Sequence, residues 1–178
     1  VAAEPEAVLA FWRAAGPERW FARDEAFDAQ FRRRFLDRHL AAARRELDAW
    51  ADRAESALAL IILLDQFPRN AFRGTAHMYA TDPLARRFAG RAIAAGFHRA
   101  VEPDLRPFFC LPLMHSEDPA DQERSVALHH GLGLDDGYAL GHRDIIRRFG
   151  RFPHRNAALG RDSTGEELAF LANGGFAG

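Results

Sequence analysis

From Ala57 to Leu64 the chain runs through eight uncharged apolar residues, and the next residue is Asp65. A run this apolar has to be buried, yet it falls well short of the roughly 18 residues a bilayer span needs, so it reads as a core helix. The helix is predicted to stop at Pro68, whose ring and missing N–H cannot continue it. That leaves Asp65 near the C-terminal end, where the macrodipole disfavours a carboxylate by several tenths of a kcal/mol. A buried Asp65 needs a cation, since breaking a buried ion pair costs about 3–5 kcal/mol. Arg69, Arg73, Arg151, Arg155 and Arg161 are the candidates, and at least one is expected to fork onto it.

The rest of the chain reads as helix with little else. Glu4, Pro5 and Glu6 suit a first turn; Val8, Leu9, Phe11 and Trp12 follow as a stripe, and Gly16-Pro17 ends it. Asp24 is a candidate cap for a helix on Phe27, Phe31 and Phe35, with Arg32, Arg33, Arg34 and Arg38 mostly on its wet face. Leu47 and Trp50 extend the stripe as far as Ala51-Asp52. Asp82-Pro83 and Asp118-Pro119 each read as a cap followed by a favoured first helical residue, the second opening a helix that runs to Gly131. A further helix covers about Tyr138 to Phe149. Ser163 and Thr164 ahead of Glu166 and Glu167 match a capping box, and the last helix ends at Asn173-Gly174-Gly175. No stretch alternates with period two between hairpin turns. The expectation is an all-α single domain, residues 1–178, of antiparallel helical hairpins: about eight or nine helices, essentially no sheet, no internal linker.

Composition removes several function classes. With 24 basic against 25 acidic residues the net charge is −1, which argues against a bulk nucleic-acid binder. Every basic side chain among the 24 is arginine, suited to forking onto carboxylates and phosphates. One cysteine, Cys110, excludes an internal disulfide framework, and its neighbours Phe108, Phe109, Leu111 and Leu113 point to a buried, inert thiol. The residues from Val1 onward carry no basic region ahead of an apolar stretch, so a cytoplasmic chain with no membrane segment is expected.

One pattern occurs twice. The first copy is Leu64-Asp65-Gln66-Phe67-Pro68-Arg69-Asn70, then Arg73-Gly74-Thr75; the second is Phe149-Gly150-Arg151-Phe152-Pro153-His154-Arg155-Asn156, then Gly160-Arg161 and Ser163-Thr164. Both read as a helix stopped at a Phe-Pro step, an Arg-Asn step and a Gly/Arg/Thr-rich entry to the next helix: two hairpins built alike.

These strings, with Pro112-Leu113-Met114-His115-Ser116-Glu117 and Gln122 between them, resemble a mainly bacterial domain-of-unknown-function family, number nine-two-four. The resemblance spans nearly the whole chain, from Phe11-Trp12 and Trp20-Phe21 to Glu166-Glu167 and Phe170-Leu171. It implies an all-helical fold similar to tetratricopeptide-like hairpins and supplies no activity. Arg45, ahead of Glu46-Leu47, departs from a position where members often have glycine.

Three readings follow for function. The first is a polar pocket between the two strings that binds a small anionic molecule. Asp65, Gln66, Arg69, Asn70, Arg73, Arg151, His154, Arg155, Asn156 and Arg161 would line it, and His115, Ser116 and Glu117 would close it. The second is an interaction scaffold for a protein or peptide, its polar strings acting as structural pins. The third is a hydrolase in which His115 or His154 is the general acid/base, with Glu117 orienting His115. A serine triad does not fit, because Ser116 adjoins His115 and no nucleophile elbow occurs. No His-Glu-x-x-His helix occurs and His129-His130 point to different faces. A metal could be held only if His115, Glu117, His142 and His154 converged from afar, so no metal or cofactor is expected. The arginines from Arg143 to Arg161 form the one locally basic stretch, read as a paired, solvated face or as an anion site.

Overall fold

The computed structural model describes residues 4–178, and among them every regular element is a helix. They fall into two compact units, one of residues 4–73 with His77–Pro112, the other of Gly74–Ala76 with Leu113–Gly178.

In the first unit α1 (Glu4–Ala15) ends at Gly16, whose φ of +69° breaks the helix, and Pro17 starts the short α2 (Pro17–Trp20). Asp24 caps α3 (Glu25–Ala43) as expected, accepting from the Ala26 and Phe27 N–H groups at 3.0 Å each. Phe27, Phe31 and Phe35 of α3 turn inward onto Phe11 and Trp12 of α1, and Trp20 and Phe108 close the aromatic cluster. The indole N–H of Trp20 donates to the Trp12 carbonyl at 2.7 Å.

The stripe was expected to continue through Trp50, but α3 ends at Ala43. Arg45 adopts φ +67°, the left-handed region, where its N–H donates to the Ala42 carbonyl and that of Glu46 to the Ala41 carbonyl. This pair of bonds is a Schellman stop, and it normally takes glycine because an L side chain there costs about 1–2 kcal/mol. An exposed pair with Asp48 offsets a few tenths of that. Arg45→Gly is therefore expected to stabilise the protein by about 0.5–1 kcal/mol in urea denaturation; a destabilised variant would show that the Asp48 contact outweighs the backbone strain.

The central apolar segment differs from expectation in an instructive way. It begins as α4 (Ala54–Ile61), widens into a π-helical turn over Ile62–Gln66, and continues through Pro68 as α5 (Phe67–Ala71). Pro68 does not stop the helix. The wider turn lets Phe67 N–H reach back to the Ile62 carbonyl, and the carbonyls that proline cannot serve are taken by side chains instead. His39 Nδ1 lies 2.9 Å from the Leu63 carbonyl and the Thr81 hydroxyl donates to that of Leu64 at 2.5 Å. After it, α6 (Asp82–Ala94) packs on α4, as does α1. The N-cap of α6 is Thr81, not Asp82, and it makes no side-chain capping bond.

The chain then runs through α7 (Pro107–Met114), with the unit boundary at Pro112. The second unit packs α8 (Pro119–Gly131) against α9 (Gly137–Phe149) and carries α10 (Gly165–Ala172). Asp118 caps α8 through the Ala120 N–H, and Thr164 with Glu167 forms the expected capping box of α10. Helix α9 ends at Gly150, whose φ of +70° serves as the stop, three residues before Pro153. So the two strings are not built alike: one passes through its proline by a π turn, and the other has already ended at a glycine. The core here is Ile145, Ile146 and Phe152, with Phe149, Phe170 and Phe176 packed on it.

Candidate functional site

In the first unit the π turn places Asp65 and Gln66 inside the protein, with Asp65 only 1% exposed. The Gln66 amide donates to the Asp65 carboxylate at 2.6 Å, and Arg69, one turn on, brings Nη1 to 3.3 Å from it and 2.8 Å from the Asp65 carbonyl. Arg69 makes its two-pronged contact elsewhere, on Asp82, with Nη1–Oδ1 2.8 Å and Nη2–Oδ2 3.0 Å. Asp82, expected to cap a helix, is thus a partner that chain order concealed. Burial works against the Arg69 charge, yet the Asp65 and Asp82 carboxylates more than offset it and raise its pKa above the ordinary arginine value. The other string residues of this unit close on α3: the Asn70 amide and the Arg73 guanidinium both donate to Asp28.

Beside this lies a pair that sequence reading missed. His39 Nε2 stands 2.9 Å from His77 Nε2. Because the Leu63 carbonyl can only accept, the network assigns the His39 proton to Nδ1, leaving Nε2 to accept from His77. Burial pushes the His39 pKa below its ordinary value; the Leu63 bond opposes this and the neighbouring His77 adds to it.

In the second unit the arginines are also taken up by carboxylates. Arg151 forks onto Glu167 at 2.7 and 2.8 Å and donates to the Asp162 carbonyl. Arg161 forks onto Glu117 at 2.8 and 3.0 Å while its Nε donates to the Asn156 side-chain oxygen. Glu117 also accepts the Phe152 N–H, and the Asn156 amide donates to Glu167 and Ser163. Glu117 therefore orients Arg161 and the Phe152 backbone. Burial would raise the Glu117 pKa, but the Arg161 and Phe152 donors prevail and lower it. Glu167 is held down to about 2, first by Arg151 and then by the Thr164 N–H.

The basic stretch is laced in the same way, with Arg143 on Asp144, Arg147 on Glu123 and Arg148 on Glu166. Arg155 donates to the His115 carbonyl at 2.9 Å, lies over the Phe152 ring and adds to the positive charge that acts on Glu117. His142 and His154 both touch Phe176, with ring centroids at 4.6 and 5.1 Å, and His115 lies 6.4 Å from His142. Ser116 gives its hydroxyl proton to Asp121, and Gln122 donates to the Met114 and Ser116 carbonyls, which closes the entrance to α8. Burial pushes the Cys110 thiol up to about 12, so it is not a nucleophile. Among the described residues no three His, Cys, Asp or Glu side chains stand together as metal ligands, and no helix is long and apolar enough to cross a membrane.

These shifts set a pH dependence. His39 and His98 have lowered pKa values in the folded state, so the unfolded chain binds their protons first, and stability falls as pH drops below about 6.5. Glu167 and Glu117, also lowered, contribute fully above the ordinary carboxylate range near 4.5; the Glu167 share is lost toward pH 2. Thermal melts from pH 8 to 3 are expected to show Tm falling in two steps, one beginning near pH 6.5 and one near 4.5; a flat Tm between pH 8 and 5 would contradict the histidine assignment.

A family model described as bacterial protein of unknown function (DUF924) matches residues 8–175. A solved structure of protein ATU0120 from Agrobacterium tumefaciens, also of unknown function, is 57% identical; the match covers 96% of this chain and 97% of that one, with a TM-score of 0.91. No curated protein matches.

Proposed function

Because this chain belongs to the DUF924 family of bacterial proteins of unknown function, its role has to be read from its own side chains, and we propose that it is an interaction module: a helical scaffold for a protein or peptide partner, its arginine-asparagine strings acting as internal pins. The observation that supports this is the destination of the string arginines. Arg69, Arg73, Arg151 and Arg161 each pair with a carboxylate of their own unit, Asp82, Asp28, Glu167 and Glu117. A guanidinium already forked onto an internal carboxylate has to give up that contact before it binds a ligand anion.

A thermal-shift screen against anionic metabolites tests the reading. No metabolite is expected to raise Tm, while Arg151→Ala and Arg161→Ala lower it in the absence of any ligand. A phosphate or carboxylate metabolite that stabilises the wild type and loses that effect in either variant would overturn it.

A second reading, small-anion binding with or without hydrolysis, is favoured by one observation. Three imidazoles, His115, His142 and His154, lie close to one another and to the Phe152 and Phe176 rings, and the Arg155 guanidinium donates to the His115 carbonyl beside them. Under that reading His115→Ala or His154→Ala abolishes turnover of an anionic ester found by screening. Full activity in both variants would remove its hydrolase form, and a metabolite screen in which no anion raises Tm would remove the binding form.

A further inference from the structure

The arginines of α3 behave unlike those of the strings. Arg32, Arg33 and Arg34 are consecutive and exposed, and among the described residues none of them is ion-paired. Two are nevertheless held in place. Arg32 donates to the Ala71 carbonyl at 2.7 Å and lies 4.7 Å over Phe72, and Arg34 lies over the Phe11 and Phe35 rings at 5.2 and 5.5 Å. A carbonyl and an aromatic face anchor a guanidinium without cancelling its charge. Arg33 stands between them with its head free. The three line an open hollow of about 370 Å³ together with Ala29, Leu36 and Asp37.

Shape and charge together narrow the occupant. Side chains at 32 and 34 leave the helix about 200° apart at 3.6 residues per turn, and Arg32 and Arg34 are drawn to different aromatic groups. One small anion cannot collect all three heads, whereas an extended chain crossing α3 meets them in succession. Ala29 and Leu36 give the hollow an apolar side, which a sugar-phosphate backbone would leave unused. The Asp37 carboxylate at its edge repels any anionic group, so it weakens the hold on the occupant without choosing between phosphate and carboxylate.

We propose that the outer face of α3 around Arg33 docks an acidic, partly apolar segment of a partner protein. Its carboxylates take the guanidiniums of Arg32, Arg33 and Arg34 in turn, and an apolar side chain enters the hollow between Ala29 and Leu36. This deepens the interaction-module reading and rests on it, naming the surface and the partner chemistry.

The test is fluorescence anisotropy with a labelled peptide that alternates Glu and Leu, on the full chain. Saturable binding is expected, weakened at least about tenfold in Arg33→Glu, weakened by added salt, and unchanged in Arg124→Glu, another exposed arginine. Asp37→Asn is expected to tighten binding severalfold, a gain that a misfolded variant would not give. Melting curves are expected to show that Arg33→Glu stays folded, since residue 33 is exposed and without an ion pair. No saturable binding, or equal binding by Arg33→Glu, overturns the proposal. So does tighter binding of a thymidine oligonucleotide that is lost in Arg33→Glu, which assigns the face to phosphates. If the peptide fails while anionic metabolites still leave Tm unchanged, the α3 assignment falls and the interaction-module reading stands. If a metabolite stabilises the protein through Arg151 or Arg161, that reading falls whatever the peptide does.

Discussion

Arg69→Ala is expected to cost about 3–5 kcal/mol, the price of leaving buried carboxylates without their guanidinium. Asp65 and Asp82 have side chains only 1% and 8% exposed, and Arg69 meets both while also holding the Asp65 carbonyl of the π turn. For a chain of this length that loss corresponds to a fall in Tm of about 6–20 °C. Arg69→Lys should recover only part of the loss, because an ammonium does not reproduce the fork onto Asp82. A Tm within about 2 °C of wild type for Arg69→Ala would mean that the cluster does not carry the stability assigned to it.

Phe31→Ala carries an expected loss of similar size, about 3–5 kcal/mol, for a different reason. Phe31 is fully buried and its ring meets those of Phe11, Trp12, Phe27, Phe35 and Phe67 at centroid distances of 5.0–5.8 Å. Its removal leaves a cavity that rigid rings collapse into poorly, so the cost belongs at the upper part of that range. Phe31→Leu keeps most of the volume and should cost about half as much. Urea denaturation checks both.

The helices were legible where the signal is local. Asp24, Asp118 and the Thr164–Glu167 box sit next to the N–H groups they satisfy, so chain order alone locates them. The Phe27, Phe31 and Phe35 stripe shows which face of α3 is buried for the same reason. Pro68 was misread because its consequence depends on distant side chains. A proline ends a helix only if the carbonyls it abandons find no other donor, and here His39 and Thr81 supply donors from 24 and 17 residues away.

The candidate site divides along the same line. That Asp65 is buried beside an arginine followed from its place at the foot of an apolar run. That Arg69 forks onto Asp82, Asn70 and Arg73 onto Asp28, and Arg161 onto Glu117 did not follow, because separations of 13, 42, 45 and 44 residues leave no periodicity to read. Glu167 was visible only as a helix cap, yet it also takes up Arg151 and the Asn156 amide. The glycine expected at the Arg45 position was a readable signal, and the left-handed backbone there gives its physical reason.

A double-mutant cycle on Arg161 and Glu117 tests most directly whether the string arginines are pins. Their side chains are 23% and 29% exposed and meet through two hydrogen bonds. Urea denaturation of Arg161→Ala, Glu117→Ala and the double variant should give a coupling free energy of about 1–2 kcal/mol in the absence of any ligand. A coupling near zero, with both single variants as stable as the wild type, would mean that the guanidinium is held ready for something other than its carboxylate, and would contradict the account.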